Sequence, residues 1–267
     1  MLHFTIALIY FAVGGTFMKN KKVLTISILP LIWAIYILFE LITGRITDFQ
    51  TIFFNILLII LFALVGLFTY TFGIKHENGF KSNILLFLFL FFLLFDQGIK
   101  ILIKLFWFNN DFPIINGMLY FNPIINTDGS WLNARFGTSV SFPILITLNI
   151  IAIFIFIEVY RYYLNKGNKD FWSDMCFIFV FCGALCSLID KVFYGGSLDF
   201  IGISNLFIAD IKDLYINLGI LFFALTMFNN GYLSSSNEDT SFKEDLQMLK
   251  KFLLFIKDDI HNKFKHF

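Results

Sequence analysis

The 267-residue chain is 58% hydrophobic and 15% charged, with a net charge of +1 and a mean hydropathy of +0.78. Soluble domains carry about 25% charged residues, so this composition excludes an ordinary soluble domain. The net charge is uninformative as a total, though its distribution is not, and no nucleic-acid partner is expected.

Apolar runs of about 20 residues cross a bilayer core of roughly 30 Å at 1.5 Å rise per residue. On that measure seven spans are expected. The first three lie at about 2–18, 23–43 and 50–73. No basic residue precedes the first run, and Lys19, Lys21 and Lys22 come after it. It therefore reads as a retained span with an external N-terminus, not a cleavable signal peptide. Residues 1–75 are expected to form an N-terminal three-helix extension, joined to the rest of the chain by the linker KHENGFKSN (75–83).

A fourth span, about 84–107, carries Asp96 and Lys100 four residues apart on one helical face. The pair reads either as self-neutralising or as shaping a site, and the two roles are compatible. The loop 108–138 is rich in aromatics, contains the turn-prone string Asn126-Thr127-Asp128-Gly129, and has a candidate strand in MLYF (118–121). Two more spans are expected at about 139–164 and 172–193. Cys176, Cys182 and Cys186 lie in the latter with no histidine nearby, so they read as small buried hydrophobes, not metal ligands. The seventh span is expected over 209–229. Residues 231–267 form a polar stretch and then a helix with Leu246, Leu249, Leu253, Ile256 and Ile260 at steps of three and four. Its lysines suit an anionic leaflet; a helix–helix contact is the competing reading.

Basic residues set the orientation. Fourteen lysines and arginines fall in one alternating set of connections, and only Arg45 and Arg135 fall in the other. The positive-inside bias puts the first set in the cytoplasm and the loops 44–49, 108–138 and 194–208 outside.

Ionisable groups inside or at the edge of a bilayer are costly and mark function. Asp190 and Lys191 close the sixth span, Asp199 comes after the YGG turn, and Asp210 opens the seventh. Asp210 also reads as a helix cap facing a positive dipole. As a pair, Asp199 and Asp210 are candidates for a protease dyad. Two adjacent carboxylates cannot both ionise, so one proton is shared between a general acid and a general base.

The string GALCSLIDKVFYGGSLDFI (183–201) resembles the signature of lipoprotein signal peptidase (signal peptidase II), which reads like GGALGNLIDR and then VVDFI. Ile208-Ala209-Asp210 resembles the end of that family's FNxAD motif, and DQGIK (96–100) its DQxxK. The segment 112–121 resembles the lead into its external Asn motif, which places Asn126 there. The resemblance covers about 85–230.

It implies an all-α polytopic membrane protein whose last four of about seven helices form a signal peptidase II-like core (84–230), with a small external region that includes β structure. It implies cleavage of lipid-modified prolipoproteins before the diacylglyceryl-cysteine, with no cofactor and no metal, and membrane lipids as surroundings. Carried over by motif, Asp199 and Asp210 are the catalytic pair. Asp190, Asp96, Lys100, Lys191, Ser187 and Asn126 are supporting groups. The chain departs from the family pattern at Ser187 and Phe207, where the family has Asn, and at Lys191, where it has Arg. A membrane protein on the same core that binds lipidated peptides without cutting them is the alternative.

Overall fold

The computed structural model describes residues 21–127, 140–203, 207–230 and 242–264. The expected first span at 2–18 lies outside the described residues, as do Asp128, Gly129 and Arg135. Among the described residues, six helices are long and apolar enough to cross a membrane. They are α1 (Lys21–Ile42), α2 (Phe49–Lys75), α3 (Ser82–Leu102), α4 (Phe142–Asn165), α5 (Phe171–Ile189) and α6 (Ile211–Asn229). A further helix, α7 (Phe242–Phe264), is amphipathic. The six spans match those expected after the first to within a few residues, as hydrophobic run length dictates.

Asp residues open three of the helices. Asp48 Oδ1 accepts from the Thr51 N–H at 2.7 Å, Asp170 Oδ1 from Ser173 at 2.9 Å, and Asp210 Oδ1 from Asp213 at 3.2 Å. Each satisfies an amide that has no partner inside its own helix. Both α3 and α5 end in a π-helical turn, Ile103–Trp107 and Asp190–Tyr194. The second turn carries Asp190, which is buried.

The apolar core lies where α5 and α6 meet, with Ile178, Phe179, Leu221, Phe222 and Leu225 all buried. A Cβ at Gly219 would fall 2.5 Å from Val180 Cγ2, so the absence of a side chain lets these helices pack closely. Phe92 of α3 closes the core, its ring 5.1 Å from that of Phe179 and 5.3 Å from that of Tyr215. Other faces stay exposed and greasy. On α2, Phe53, Ile56, Leu57, Ile60 and Leu64 point outward, a surface whose natural cover is lipid.

A four-stranded antiparallel sheet in the order β1-β2-β3-β4 accompanies the helices. Its strands are β1 (Phe112–Ile115), β2 (Leu119–Asn126), β3 (Ser197–Ile203) and β4 (Phe207–Ala209). The candidate strand in 118–121 is the start of β2. Two expectations are corrected. The segment 194–208, read as a loop, supplies two strands, and the last span begins at Ile211 instead of 209 because Ala209 pairs with Ile201 in the sheet. β3 escaped detection because Leu198, Asp199 and Phe200 are consecutive and all buried, which erases the alternation of a half-buried strand.

The helices of the N-terminal segment touch the rest of the chain. Trp33 Nε1 donates to Asn55 between α1 and α2 at 3.0 Å, Lys21 Nζ donates to Asn229 O of α6 at 2.7 Å, and Gln50 Nε2 donates to Asn116 O at 3.1 Å. The linker is docked too. Phe80 is buried, and its N–H donates to Asp174 Oδ2 at 2.6 Å. At the opposite end of α5 from Asp190, α7 packs on α4 through Tyr162 against Phe252 and Phe255 and through an Arg161–Asp259 ion pair.

Candidate active site

Five elements deliver polar side chains to one buried point at the junction of helices and sheet. Asp96, Gln97 and Lys100 come from the end of α3, where the four-residue spacing lets Lys100 Nζ fold back to Asp96 Oδ2 at 3.0 Å. Asp190 comes from the π-helical turn. Ser197 and Asp199 lie on the same face of β3, two residues apart. Asn126 ends β2 directly opposite Ser197. A Cβ at Gly196 would fall 2.9 Å from Asn126 O, so glycine permits that close approach. Asp210 is the residue before α6, and Lys212 and Asp213 occupy its first turn.

One carboxylate oxygen from each of Asp199, Asp210 and Asp213 lies within 4.8 Å of the others. That separation allows one water to touch both Asp199 and Asp210. Lys100 Nζ joins three acids, at 2.8 Å from Asp190 Oδ2 and 2.7 Å from Asp210 Oδ2 in addition to Asp96. Lys212 Nζ lies 2.6 Å from the same Asp210 oxygen. Asp199 is held differently: Asn126 Nδ2 donates to its Oδ2 at 2.8 Å, and Ser197 Oγ donates to its Oδ1 at 2.6 Å. Gln97 Nε2 bonds Asp96 Oδ2 at 2.9 Å and reaches Asp190 Oδ1 at 3.4 Å.

The electrostatics of the two central acids diverge. Burial pushes the Asp199 carboxyl above its ordinary value, only partly opposed by the Lys212 ammonium. Burial pushes Asp210 the same way, but Lys212 and Lys100 together outweigh it and hold Asp210 below the usual carboxylate range. The chain's own ammonium sits among Asp199, Asp210 and Asp213, supplying the positive charge that three converging carboxylates require.

Asp96, Lys100, Asp190, Asp199, Asp210 and Asn126 are thus brought together. Ser187 and Lys191 pair with each other on the flank, Nζ to Oγ at 2.5 Å. Phe207 is 42% exposed on β4, with its backbone paired to Ile203. Sequence reasoning missed Gln97, Ser197, Lys212 and Asp213. The i, i+2 relation to Asp199 on a strand marks Ser197, and two ionisable residues in the first turn of an apolar helix mark Lys212 and Asp213. Gln97 is marked by no spacing, but it is the second residue of the DQGIK string.

Residues 88–229, just over half of the chain, match the family model of signal peptidase (SPase) II. The lipoprotein signal peptidase of Wigglesworthia glossinidia brevipalpis is 30% identical over 97 residues, spanning 36% of this chain and 63% of that protein, a little under two thirds. That of Microcystis aeruginosa is 28% identical over 121 residues, spanning 44% of this chain and 72% of that protein. Two solved structures, each titled as a bacterial membrane enzyme determined by the in meso method, also resemble the chain. One is 22% identical with a TM-score of 0.46, covering 57% of this chain and 96% of its own. The other is 20% identical with a TM-score of 0.46, covering 62% and 98%.

Proposed function

The chain belongs to the signal peptidase II family, and from that premise we propose that it is a membrane aspartic endopeptidase acting on lipid-modified prolipoproteins. Asp199 and Asp210 are the catalytic pair. The observation that carries this reading is their shared geometry: two buried carboxylates within reach of one water, in contrasting electrostatic surroundings. The ionised member removes a proton from water as its oxygen attacks the scissile carbonyl, and the protonated member donates to the carbonyl oxygen. The tetrahedral diol then collapses, the C–N bond breaks, and the leaving amine takes a proton from the pair.

The bond cut is the one preceding the diacylglyceryl-cysteine, with the acyl chains remaining in lipid. The exposed apolar residues Phe112, Ile114, Ile115, Ile124 and Ile125 of β1 and β2 suit contact with that lipid. The lysine and arginine asymmetry supports an external site, an external N-terminus and a cytoplasmic C-terminus. Residues 84–230 form the catalytic core, 1–75 an added membrane segment, and 231–267 a cytoplasmic tail.

A cleavage assay with a diacylglyceryl-modified prolipoprotein tests the reading. Asp199→Asn and Asp210→Asn are each expected to lose at least about 100-fold in rate, the scale of one general acid or base. Cutting at the wild-type rate by either variant rules out the dyad. Phe207, which offers no amide where the family has one, supports the second reading, a binding protein on the same core. Binding of lipidated peptide without turnover at any pH would favour it.

A further inference from the structure

Lys212 enters the site from the first turn of α6, and its side chain is 7% exposed. Charged groups face it from every element around it. Asp96 and Lys100 lie on α3, Asp190 and Lys191 at the end of α5, Asp199 on β3, and Asp210 and Asp213 at the start of α6. Its Nζ lies 2.6 Å from Asp210 Oδ2, 3.5 Å from Asp190 Oδ2, 3.8 Å from Asp199 Oδ1 and 3.9 Å from Asp213 Oδ1. It also donates to Ser197 Oγ.

These contacts are unequal across the catalytic pair. Asp210 Oδ2 receives two ammonium groups directly, Lys100 at 2.7 Å and Lys212 at 2.6 Å. Asp199 receives two neutral donors, the Asn126 amide at 2.8 Å and the Ser197 hydroxyl at 2.6 Å, with the Lys212 charge farther off. A full positive charge at hydrogen-bond distance favours the ionised carboxylate more strongly than a neutral donor does. The negative charge of a singly protonated pair therefore belongs on Asp210, and the proton on Asp199.

We propose that Lys212 is a positioning residue that assigns the two catalytic roles, fixing Asp210 as the ionised general base and Asp199 as the protonated general acid. This assignment rests on the aspartic-peptidase reading above. Lys212 acts through Asp210: the proton leaves water for the Asp210 carboxylate, while Asp199 gives its proton to the carbonyl oxygen. The raised value of Asp199 and the lowered value of Asp210 agree with this placement of the charge.

The test compares the full-length wild type, Lys212→Met and Lys212→Arg in lipid-supplemented detergent, with two readouts. The first is the pH profile of kcat/KM for a diacylglyceryl-modified prolipoprotein. Removing the charge raises both aspartates, so both limbs of the Lys212→Met profile move to higher pH by about one unit. On the acid shoulder the rate falls about tenfold, whereas Lys212→Arg keeps the wild-type limbs. The second readout, the thermal unfolding midpoint against pH, needs no turnover. Asp210 is held low in the folded state, so its stabilisation is present above the ordinary aspartate value and is lost as pH falls through its folded value. In Lys212→Met the folded value rises towards the ordinary one, so the loss still begins near the ordinary aspartate value but ends about one pH unit higher and is about tenfold smaller in the folding equilibrium. If Lys212→Met does not fold, Lys212→Gln carries the same comparison. Stability lowered equally at every pH, or cleavage limbs that coincide with wild type, would overturn the assignment and leave Lys212 a structural residue. A wild type that cuts nothing, while its stability limb moves as expected on substitution, refutes the peptidase reading and supports the charge placement.

Discussion

Lys100→Met removes the ammonium that joins acids from α3, the end of α5 and the start of α6, while keeping a side chain of similar length. Lys100 Nζ lies 3.0 Å from Asp96, 2.8 Å from Asp190 and 2.7 Å from Asp210, and its side chain is 3% exposed. At an effective dielectric of about 20, each such contact is worth roughly 6 kcal/mol in gross Coulomb energy. Desolvation of the buried charges offsets most of that sum, and breaking a buried ion pair costs about 3–5 kcal/mol net. We expect a loss of that size at neutral pH, measured by denaturant unfolding of the full chain in mixed micelles. The deficit should narrow in acid. Asp210 is held below its ordinary value of 3.8, so the stabilisation from its ion pairs is present above that value and fades as pH falls through its lower folded value. Adding Asp210→Asn to Lys100→Met should cost less than the sum of the two single changes, because the Lys100–Asp210 contact is already gone in the first and Asp210 then keeps only part of its charge compensation, through Lys212. A loss under about 1 kcal/mol at neutral pH, the range of exposed ion pairs, would refute the reasoning. So would strict additivity.

Two further changes probe the surroundings of the site. Asn126→Ala deletes the amide that donates to Asp199 Oδ2 at 2.8 Å; it should cost about 1–3 kcal/mol in stability through the unsatisfied buried oxygen. In the cleavage profile it should move the limb set by Asp199 to higher pH, since the lost donor had favoured the ionised form. An unchanged profile would argue against Asp199 as the group titrating there. Gly219→Leu drives a side chain into Val180, where even a lone Cβ would lie only 2.5 Å from Cγ2, so overpacking should lower stability by about 1–3 kcal/mol or more. Unfolding at wild-type denaturant concentration would show that α5 and α6 separate without penalty.

The helices were legible because bilayer thickness leaves a coarse, strong signature: six of the expected spans recur with ends moved by only a few residues. The acids were legible for a related reason. Asp96, Asp190, Asp199 and Asp210 stand out against apolar neighbours, and the chemistry of lipid makes each of them costly. What the sequence concealed is long-range pairing. Ser197 meets Asn126 only because β3 pairs with β2, 71 positions away by numbering from Asn126↔Ser197. Lys212 was overlooked because it lies in a helical turn beside Asp210, where a charge reads as ordinary helix-end chemistry. Its role depends on a side chain folding back onto the N-cap of its own helix, Asp210.

Asp210 also resolves a choice that looked exclusive. As a helix cap it needs an oxygen for the first turn; as a catalytic group it needs one for the site. The carboxylate has two. Oδ1 accepts the Asp213 N–H at 3.2 Å, and the Asp213 carboxylate accepts the Asp210 N–H at 3.2 Å in return, a reciprocal cap that fixes the side-chain torsions. Oδ2 is left pointing at Lys100 and Lys212. The cap thus orients the group that the site uses, and the helix dipole adds to the ammonium charges in favouring its ionised form. An acid at the start of a membrane helix is for this reason ionised more readily than one within it. The backbone there offers free N–H groups, and the charge is stabilised before any side chain is added.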